Sequence, residues 1–464
     1  MIFLKKIQDV INQPCHVHFI GIGGISMSGL AELLLDKGYT VSGSDRNTTD
    51  ITNKLESLGA TVIHEHSADN ITDDISYVVY TAAIKDDNPE LMAAREKDIA
   101  CMTRAELLGL VMSKYKTAIS VAGTHGKTTT TSMISEIMLA YECDPTISVG
   151  GILHSIGGNF RIGHSDYFVT EACEYTNSFL SLISNVNIIL NVREDHLDFF
   201  KDIDDIRHSF RTFADNLDEN GTLIINSEID DVNYFTNGLK SKYLTFGLDA
   251  EKSDFYPENI TYNKVACATF DVVNGSDKTT VSLKVPGLHN VLNALAAFAT
   301  CKSIGIPTEY IVKGLNNYEG TDRRFQYKGE FNGVTVIDDY AHHPDEIEAT
   351  LKTAKTYPHN NLWVVFQPHT YTRTKSLMSE FAKALSLADN IVLAKIYAAR
   401  ETDDLGISSD TLRQEIEKLG HKNVTYIDTF EEIEKFLQKK CIHGDLLITM
   451  GAGNVVLIGE NLVK

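Results

Sequence analysis

The amino-acid sequence predicts an α/β protein, and three observations lead to this prediction. Short apolar runs typical of strands alternate with helix-like segments along most of the 464 residues, a pattern that favours parallel sheets. Two glycine-rich loops each follow such a run and precede a helix-like segment. The chain is also longer than one hydrophobic core usually organises, so several domains are expected. We divide it into three segments: residues 1–114, 115–320 and 321–464.

The first segment begins with a strand, a glycine-rich loop, a helix and a second strand. These elements are predicted over residues 16–20, 21–29, 30–37 and 39–45. The second strand ends at Asp45, about where a dinucleotide-binding unit carries the acid that contacts a ribose. The alternation continues through a strand at 77–80 and a helix near 88–90 and ends around Lys114, where we place the first boundary.

The glycine loop of this segment leaves two ligand classes open. Ser26 stands at the last glycine position of the Gly-x-Gly-x-x-Gly pattern, so the loop alone fits a nicotinamide or flavin cofactor or another phosphate-containing ligand. A second nucleotide loop in the same chain favours the latter. A protein that hydrolyses a triphosphate in one domain has little need of a hydride carrier in another. An NAD-dependent dehydrogenase is the alternative.

The second segment contains a phosphate-binding loop between the apolar run 118–122 and a helix-like run at 132–139. Glycines allow backbone N–H groups to surround phosphate oxygens, Lys127 supplies a positive charge, and the Thr128 hydroxyl suits Mg²⁺. Val121 stands where the usual loop has its first glycine, so this is a shortened variant. We predict nucleoside triphosphate binding by this loop: Gly123, Thr124, His125, Gly126, Lys127, Thr128 and Thr129.

Polar residues follow two predicted strands of the second segment, at 167–169 and 186–190. Because the carboxyl ends of parallel strands share one edge, Glu171 and His196 are predicted to complete Mg²⁺ shells that Thr128 begins. For the neighbouring acids, a solvated turn or a helix cap is the favoured interpretation: Glu174, Glu194, Asp195 and Asp198.

Two further features of this segment lie later in the chain. Residues 243–285 are rich in Thr, Tyr and Val with turn signals, which predicts β-hairpins inserted in the α/β domain. Asn290 and Asn293 share one helix face by i, i+3 spacing. Capping by Asn290 leaves Asn293 unexplained, so a nucleoside contact is favoured.

The third segment alternates strands and helices, which predicts a parallel sheet. The strands are expected at 334–337, 362–366 and 390–394, and the helices at 344–353 and 375–387. Arg323 and Arg324 precede it, and their interpretation stays open between a solvated linker and a contact to a transferred phosphoryl group.

Two histidine-bearing loops of this segment, at 338–344 and 367–374, share one sheet edge and predict a single site. A metal site formed by His342, His343 and His369 is the competing interpretation. The nearby Arg373 disfavours a cation and suits a carboxylate, which favours a small anionic or zwitterionic substrate.

Charge and composition exclude several classes of protein. A formal charge of −21 argues against nucleic-acid binding and against adhesion to an anionic membrane. Seven scattered cysteines without Cys-x-x-Cys spacing suit a reducing cytoplasm. No apolar run approaches the length of a membrane span, so we expect a soluble, unprocessed protein. The oligomeric state cannot be read from the sequence.

Seven motifs occur in a fixed order: Gly-Ile-Gly-Gly, Gly-Thr-His-Gly-Lys-Thr-Thr-Thr, Glu-Ala-x-Glu, Asp-His-x-Asp, His-Asn-x-x-Asn, Arg-Arg-Phe and Asp-Asp-Tyr-x-His-His-Pro. With these motifs the chain resembles the Mur ligase family over essentially its whole length. The resemblance implies a Rossmann-like domain for a UDP-sugar, a central domain for ATP and a Rossmann-like C-terminal domain for an amino acid. It also implies ATP- and Mg²⁺-dependent ligation of L-alanine to UDP-N-acetylmuramate through an acyl phosphate.

The resemblance assigns a role to each motif residue. Lys127, Thr128, Glu171, His196 and Arg324 hold the phosphates, the metal ions and the migrating phosphoryl group. Asn290 and Asn293 contact the adenine end of ATP, and Asp339 contacts its ribose. The amino acid is held by Tyr340, His342, His369 and Arg373. The UDP moiety is held by Gly21, Gly23, Gly24, Ser28, Asp45 and His66.

The chain departs from the common family pattern at two positions. Cys173 replaces an aspartate, and Thr370 replaces an arginine, which removes one cation from the amino-acid pocket. Within the family the alternative activity is ligation of a recycled murein tripeptide. A non-enzymatic ATP-binding regulator is a third possibility, which would tolerate replacement of His196 and Arg324.

Overall fold

The computed structural model describes residues 13–81, 83–197, 199–399, 401–403 and 405–464. Asp198, for which a solvated turn was predicted, lies outside the described residues. Within the described part of the chain, the strands form four sheets. No helix among these residues has both the length and the apolar character needed to cross a bilayer.

The first sheet has five parallel strands in the order β3-β2-β1-β4-β5. The strands are β1 His16–Ile20, β2 Thr40–Ser44, β3 Thr61–Ile63, β4 Ile75–Tyr80 and β5 Ala100–Thr103. The α-helices are Ile25–Asp36, Asp50–Ser57, Pro89–Glu96 and Arg104–Met112, and Ala68–Asn70 is a 3-10 turn. The order reverses direction beside β1, so the loop after β1 opens at a crevice suited to a ligand.

The second sheet has seven strands in the order β12-β11-β10-β6-β9-β7-β8, and only the β7–β8 pair is antiparallel. The strands are β6 Thr117–Ala122, β7 Thr146–Leu153, β8 Gly158–Arg161, β9 Tyr167–Glu171, β10 Val186–Ile189, β11 Thr222–Asn226 and β12 Lys242–Phe246. The helices are Lys127–Ala140, Ile203–Asp215, Val232–Thr236, Leu288–Ser303 and Thr308–Asn317, with 3-10 turns at His154–Ile156 and Tyr175–Ser181. Strands β9 and β10 flank β6, so their carboxyl ends lie on either side of the phosphate loop.

A separate antiparallel sheet follows in the order β13-β14-β15. Its strands are β13 Tyr256–Tyr262, β14 Cys267–Asn274 and β15 Asp277–Pro286. Alternate residues of β14 and β15 are buried and contribute to the same apolar core as the helix Leu288–Ser303. The hairpins predicted within 243–285 are therefore confirmed for β13 to β15, whereas the prediction was wrong for Lys242–Phe246, which pairs in parallel with β11 in the second sheet.

The last sheet has six strands in the order β16-β17-β21-β18-β19-β20, and β16 alone is antiparallel to its neighbour. The strands are β16 Gln326–Phe331, β17 Val334–Asp339, β18 Leu362–Phe366, β19 Asn390–Leu393, β20 Val424–Tyr426 and β21 Leu446–Met450. The helices are Pro344–Thr356, Tyr371–Ser376, Met378–Leu385, Ser409–Lys418, Phe430–Lys440 and Val456–Leu462. Apolar cores lie on both faces of this sheet.

The α/β prediction is confirmed, but several predicted helices differ in extent. The helices predicted at 132–139 and 344–353 are longer, Lys127–Ala140 and Pro344–Thr356, and two others differ as follows. The helix predicted over 30–37 begins earlier, at Ile25, since Gly24 in an extended conformation starts it without a polar cap. The helix predicted over 375–387 is two helices that meet at Leu377, whose φ of −112° and ψ of 26° are not helical. The domain boundaries at 114 and 320 stay predictions.

Candidate active site

The phosphate-binding loop joins β6 to the helix Lys127–Ala140 and requires glycine at two positions. Gly123 and Gly126 have φ of +147° and +85°, which disfavours side chains with a Cβ. A Cβ on Gly126 would lie 2.6 Å from Asn293 Oδ1, and one on Gly123 would lie 2.9 Å from the Leu190 Cβ. The loop therefore passes close to its neighbours, and its helix N-terminus presents backbone N–H groups suited to an anion.

The loop lysine is held by a buried acid. Lys127 Nζ lies 3.0 Å from Glu174 Oε2 and donates to the carbonyls of Gly123 at 2.5 Å and Thr124 at 3.1 Å. Burial lowers the pKa of Lys127, but the surrounding groups Glu174, Cys173 and Glu171 together raise it by more, so the net shift is upward and the lysine stays charged. The interpretation of Glu174 as a solvated residue was wrong, because its side chain is 3% exposed.

The three predicted metal ligands, Thr128, Glu171 and His196, line one cavity. Thr128 and Glu171 offer oxygen atoms, the donors that Mg²⁺ prefers, whereas the His196 imidazole is a softer donor. Glu171 is held in place by the N–H of Gly150, which donates to its Oε1. The donor set of this cavity thus fits a Mg²⁺ ion bound also to phosphate oxygens.

The cavity has a volume of about 510 Å³ and lies between the central and the C-terminal sheets. The predicted site residues that line it are Thr124, His125, Gly126, Lys127, Thr128, Glu171, His196, Arg324, Tyr340 and His342. Residues without a predicted role in catalysis or binding complete the lining: Gly150, Gly151, Ile152, Cys173, Glu174, Asp195, Asp322, Arg323, Gln326, Lys328, Glu346, Val456 and Glu460. Side chains from the second and the third segment of the chain therefore line the same cavity.

The predicted adenine contacts, Asn290 and Asn293, lie behind the phosphate loop rather than along the cavity lining. Asn293 Nδ2 donates to Asn290 Oδ1 at 3.1 Å, and Asn290 Nδ2 donates to the Pro286 carbonyl at 2.7 Å. Asn293 Oδ1 accepts from the Thr130 hydroxyl at 3.3 Å. In this structure the two amides support the loop, and their contact with a nucleoside stays a prediction.

Asp339 is the last residue of β17, and its side chain is buried. Its carboxylate accepts the N–H groups of Ala341 at 2.8 Å and Phe325 at 2.9 Å. Burial raises the pKa of Asp339 to about 6. The carboxylate therefore fixes the turn that begins the 338–344 loop, and its predicted ribose contact is untested.

The arginine doublet is not a solvated linker. Arg323 lies 3.0 Å from Asp338 Oδ2 and donates to the Gly451 carbonyl at 2.6 Å, which ties it to the C-terminal sheet. Arg324 lines the cavity, with its guanidinium 5.2 Å from the Tyr340 ring centroid. Arg323 lines the cavity too, but Arg324 is the member of the doublet whose Nη1 lies 3.9 Å from Glu346 Oε1, the oxygen that contacts His125 of the phosphate loop.

The predicted amino-acid pocket contains a buried ion pair between two segments. Arg373 donates to Asp195 Oδ1 from Nη2 at 2.9 Å and from Nε at 3.2 Å, and the two side chains are only 12% and 9% exposed. Burial raises the pKa of Asp195, but Arg373 and the nearby His196, His342 and His343 together lower it by more, so it remains ionised. The interpretation of Asp195 as a solvated residue was therefore wrong. The His369 ring lies beside the same guanidinium.

The histidines of the two loops do not converge into one metal site. His342 and His369 have ring centroids 5.8 Å apart, whereas His343 turns away, with its Nε2 2.9 Å from the Glu194 carbonyl. Among the described residues, the group with metal-ligand spacing is instead His125, His343 and Asp345.

The glycine loop after β1 lies outside this cavity. The N–H of Gly23 donates to Asp45 Oδ2 at 3.0 Å, and a Cβ on Gly23 would lie 2.8 Å from the same oxygen. The Ser28 hydroxyl donates to a carbonyl of its own helix. The structure thus brings Asp45 against the loop formed by Gly21, Gly23 and Gly24, and contacts of these residues with UDP stay predictions.

His66 is positioned by an acid that the motif analysis did not single out. Glu90 is fully buried, and its Oε2 accepts from His66 Nδ1 at 2.7 Å and from the Ser44 hydroxyl at 2.6 Å. Its Oε1 accepts from Asn70 at 2.7 Å and lies 3.2 Å from His18 Nε2. Burial raises the pKa of Glu90, but these hydrogen bonds lower it to about 2, so Glu90 holds His66 as a carboxylate.

Three family models match successive parts of the chain. The Mur ligase family catalytic-domain model matches residues 16–116, the Mur ligase middle-domain model matches 121–301, and the Mur ligase glutamate ligase-domain model matches 323–453. A UDP-N-acetylmuramate--L-alanine ligase from Lachnospira eligens is 61% identical over 98% of this chain and 99% of the relative.

The chain belongs to the Mur ligase family. A second UDP-N-acetylmuramate--L-alanine ligase, from Agathobacter rectalis, is 59% identical over 98% of both chains. The crystal structure of the alanine ligase MurC from Thermotoga maritima is 31% identical and has a TM-score of 0.78, covering 97% of this chain and 98% of that chain. A murein peptide ligase from Psychrobacter arcticus shares the fold, with 24% identity and a TM-score of 0.69 over 97% of this chain and 98% of that one.

Glu346 is a site residue of this Mur ligase that the sequence interpretation missed. It is the third residue of the helix Pro344–Thr356, where it completes a capping box with His343. Its Oε1 nevertheless lies 3.2 Å from His125 Nδ1 and 3.9 Å from Arg324 Nη1. The His-Pro-Asp-Glu sequence indicates the cap, but nothing local indicates the contact with the phosphate loop.

Two partly buried histidines predict a loss of stability in acid. Burial lowers the pKa of both His289 and His342 to about 4. The unfolded chain therefore binds more protons than the folded one between pH 6.5 and 4, and each group costs up to about 1.4 kcal/mol of stability per pH unit there. We expect the thermal midpoint to fall as the pH is lowered through this window. The His289→Gln variant should show a shallower fall, and equal slopes in the two proteins would contradict the assignment.

Proposed function

We propose that this Mur ligase joins L-alanine to UDP-N-acetylmuramate at the expense of ATP. The observation that carries the proposal is the arrangement of the cavity. The phosphate loop and Glu171 lie on its central-domain side, and Tyr340 and His342 reach it from the C-terminal side. The Arg373–Asp195 pair links the two sides beside it. A phosphoryl donor and a small amino acid can therefore meet in one enclosed space. The ligase names of relatives at 61% and 59% identity support this activity.

The proposed chemistry has two balanced steps. A carboxylate oxygen of UDP-N-acetylmuramate forms a bond to the γ-phosphorus of ATP, and the bond to the ADP oxygen breaks. The amine of L-alanine then bonds to the carbonyl carbon, loses a proton, and expels phosphate. Both steps bring anions together, so cationic groups fixed at the reaction centre lower the barrier.

Residues of this chain supply that charge. Lys127 and Arg324 would face the transferred phosphoryl group, and Thr128, Glu171 and His196 would hold Mg²⁺. When bound, Mg²⁺ neutralises charge on the phosphate oxygens. Arg373 would take the carboxylate of L-alanine, for which its planar fork is suited. The UDP portion would lie near Asp45 and His66 in the first domain, residues 1–114, and the reaction would take place in the cytoplasm.

An oxygen-isotope experiment tests the proposal. UDP-N-acetylmuramate labelled with ¹⁸O in its lactyl carboxylate is incubated with ATP, Mg²⁺ and L-alanine, and phosphate and product are analysed by mass spectrometry. We expect one ¹⁸O in each phosphate and a product mass that fits the alanyl amide. Unlabelled phosphate would contradict the acyl-phosphate route, and release of phosphate without amide would contradict the ligase activity.

A further inference from the structure

We infer that Glu346 is a positioning residue that couples the nucleotide side of the cavity to its amino-acid side, an inference that rests on the proposed function. Glu346 is 13% exposed and lies on the C-terminal helix Pro344–Thr356. Its two carboxylate oxygens have different partners. The contacts of one oxygen are local to the helix and the loop before it, whereas those of the other oxygen reach the central domain.

One oxygen serves the helix and the amino-acid loop. Oε2 accepts the backbone N–H groups of His342 at 3.0 Å and His343 at 3.3 Å, and it lies 3.3 Å from His342 Nδ1. The same Nδ1 donates to the Tyr340 carbonyl at 3.0 Å. These contacts fix the orientation of the His342 ring, so Nε2 is the ring nitrogen that remains available to a ligand.

The other oxygen reaches the nucleotide groups. Oε1 lies 3.2 Å from Nδ1 of His125, in the middle of the phosphate loop, and 3.9 Å from Nη1 of Arg324. The His125 ring also lies 4.8 Å from the His343 ring, centroid to centroid. A helix cap needs none of these contacts, because the cap is satisfied by Oε2 alone.

The charge of Glu346 fits this role. Burial raises the pKa of the carboxyl group, but His342, His125 and Arg324 lower it by more, so the group remains ionised. One rigid carboxylate therefore fixes the phosphate loop, the phosphoryl-facing arginine and the amino-acid histidine relative to one another. Displacement of any of these groups changes the position of the others, which is a physical basis for coupling between the two substrates.

The test compares Glu346→Gln with wild type and with Glu348→Gln. Glu348 is a half-exposed acid on the same helix that pairs with Lys352. Glutamine keeps an acceptor for the cap but removes the charge that faces His125 and Arg324. In Glu346→Gln we expect kcat to fall roughly tenfold and phosphate to be released in excess of the amide product. In Glu348→Gln we expect both quantities to match those of wild type. In a double-mutant cycle, adding His125→Gln to Glu346→Gln should cause little further loss of kcat.

Each outcome is decisive. A lower thermal midpoint with a one-to-one ratio of phosphate to amide would show that Glu346 only caps the helix, and it would overturn the inference. The inference would also be overturned if the fold losses in kcat of Glu346→Gln and His125→Gln multiplied fully in the double variant. A wild-type protein that shows no alanine-dependent phosphate release would instead overturn the proposed function, so the two failures are distinguishable.

Discussion

Replacement of Lys127 by alanine is expected to lower kcat by roughly 10³-fold while leaving the affinity for UDP-N-acetylmuramate nearly intact. Lys127 is the cation of the phosphate loop, and the predicted UDP contacts lie on another sheet, outside the cavity that Lys127 lines. The measurement is steady-state turnover together with titration calorimetry of UDP-N-acetylmuramate. Parallel loss of turnover and of UDP-sugar binding would contradict the assignment of the two sites to separate domains.

This variant needs a control because it also breaks a buried ion pair. Without Lys127, the Glu174 carboxylate, which is 3% exposed, loses its partner, and such losses cost about 3–5 kcal/mol of stability. The double variant Lys127→Met with Glu174→Gln removes both charges and should recover much of the thermal midpoint. Because it still lacks the loop cation, it should remain inactive. Recovery of activity in the double variant would refute the catalytic role of Lys127.

Replacement of Arg373 by alanine is expected to lower kcat/KM for L-alanine by roughly 10²-fold or more, with little change in the KM for ATP. Arg373 is the guanidinium of the two histidine-bearing loops predicted to bind the amino acid, and Thr370 supplies no second cation. In this structure the Arg373 guanidinium donates to Asp195 Oδ1 at 2.9 Å. The carboxylate of L-alanine must therefore share or displace that hydrogen bond. Initial rates over a series of alanine concentrations measure the effect.

Two companion variants separate recognition from stability. Arg373→Lys keeps the charge but loses the planar fork, so we expect an intermediate loss of kcat/KM. Arg373→Met with Asp195→Asn leaves no unpaired buried charge, so its thermal midpoint should exceed that of Arg373→Ala while its KM for L-alanine stays high. A normal KM for L-alanine in all three variants would place the amino acid elsewhere.

The predictions that succeeded rest on local sequence. The phosphate loop, the strand that leads into it and the helix that follows depend on glycines and apolar spacing within a few residues. The strand Leu362–Phe366 matches its predicted bounds for the same reason. The helix predicted over 375–387 was less accurate, since hydrophobic periodicity does not show the non-helical backbone at Leu377.

The misassigned site residues depend on partners distant in sequence. Glu174 and Asp195 look like ordinary surface acids in their own segments, and their cations lie 47 and 178 residues away. Glu90 is likewise explained by two histidines, a serine and an asparagine from other strands and loops. Pairing of buried charges is determined by the tertiary fold, so even the motifs that contain Glu174 and Asp195 do not show which cation each acid meets.

The most direct test of the proposed alanine ligase activity is phosphate release by the purified protein with ATP, Mg²⁺ and UDP-N-acetylmuramate. Three reactions are compared: one with L-alanine, one with the tripeptide L-alanyl-γ-D-glutamyl-meso-diaminopimelate, and one with no acceptor. We expect release only with L-alanine, in equal amount to an amide product identified by its mass. Preference for the tripeptide, or release that does not depend on an acceptor, would contradict the proposed activity.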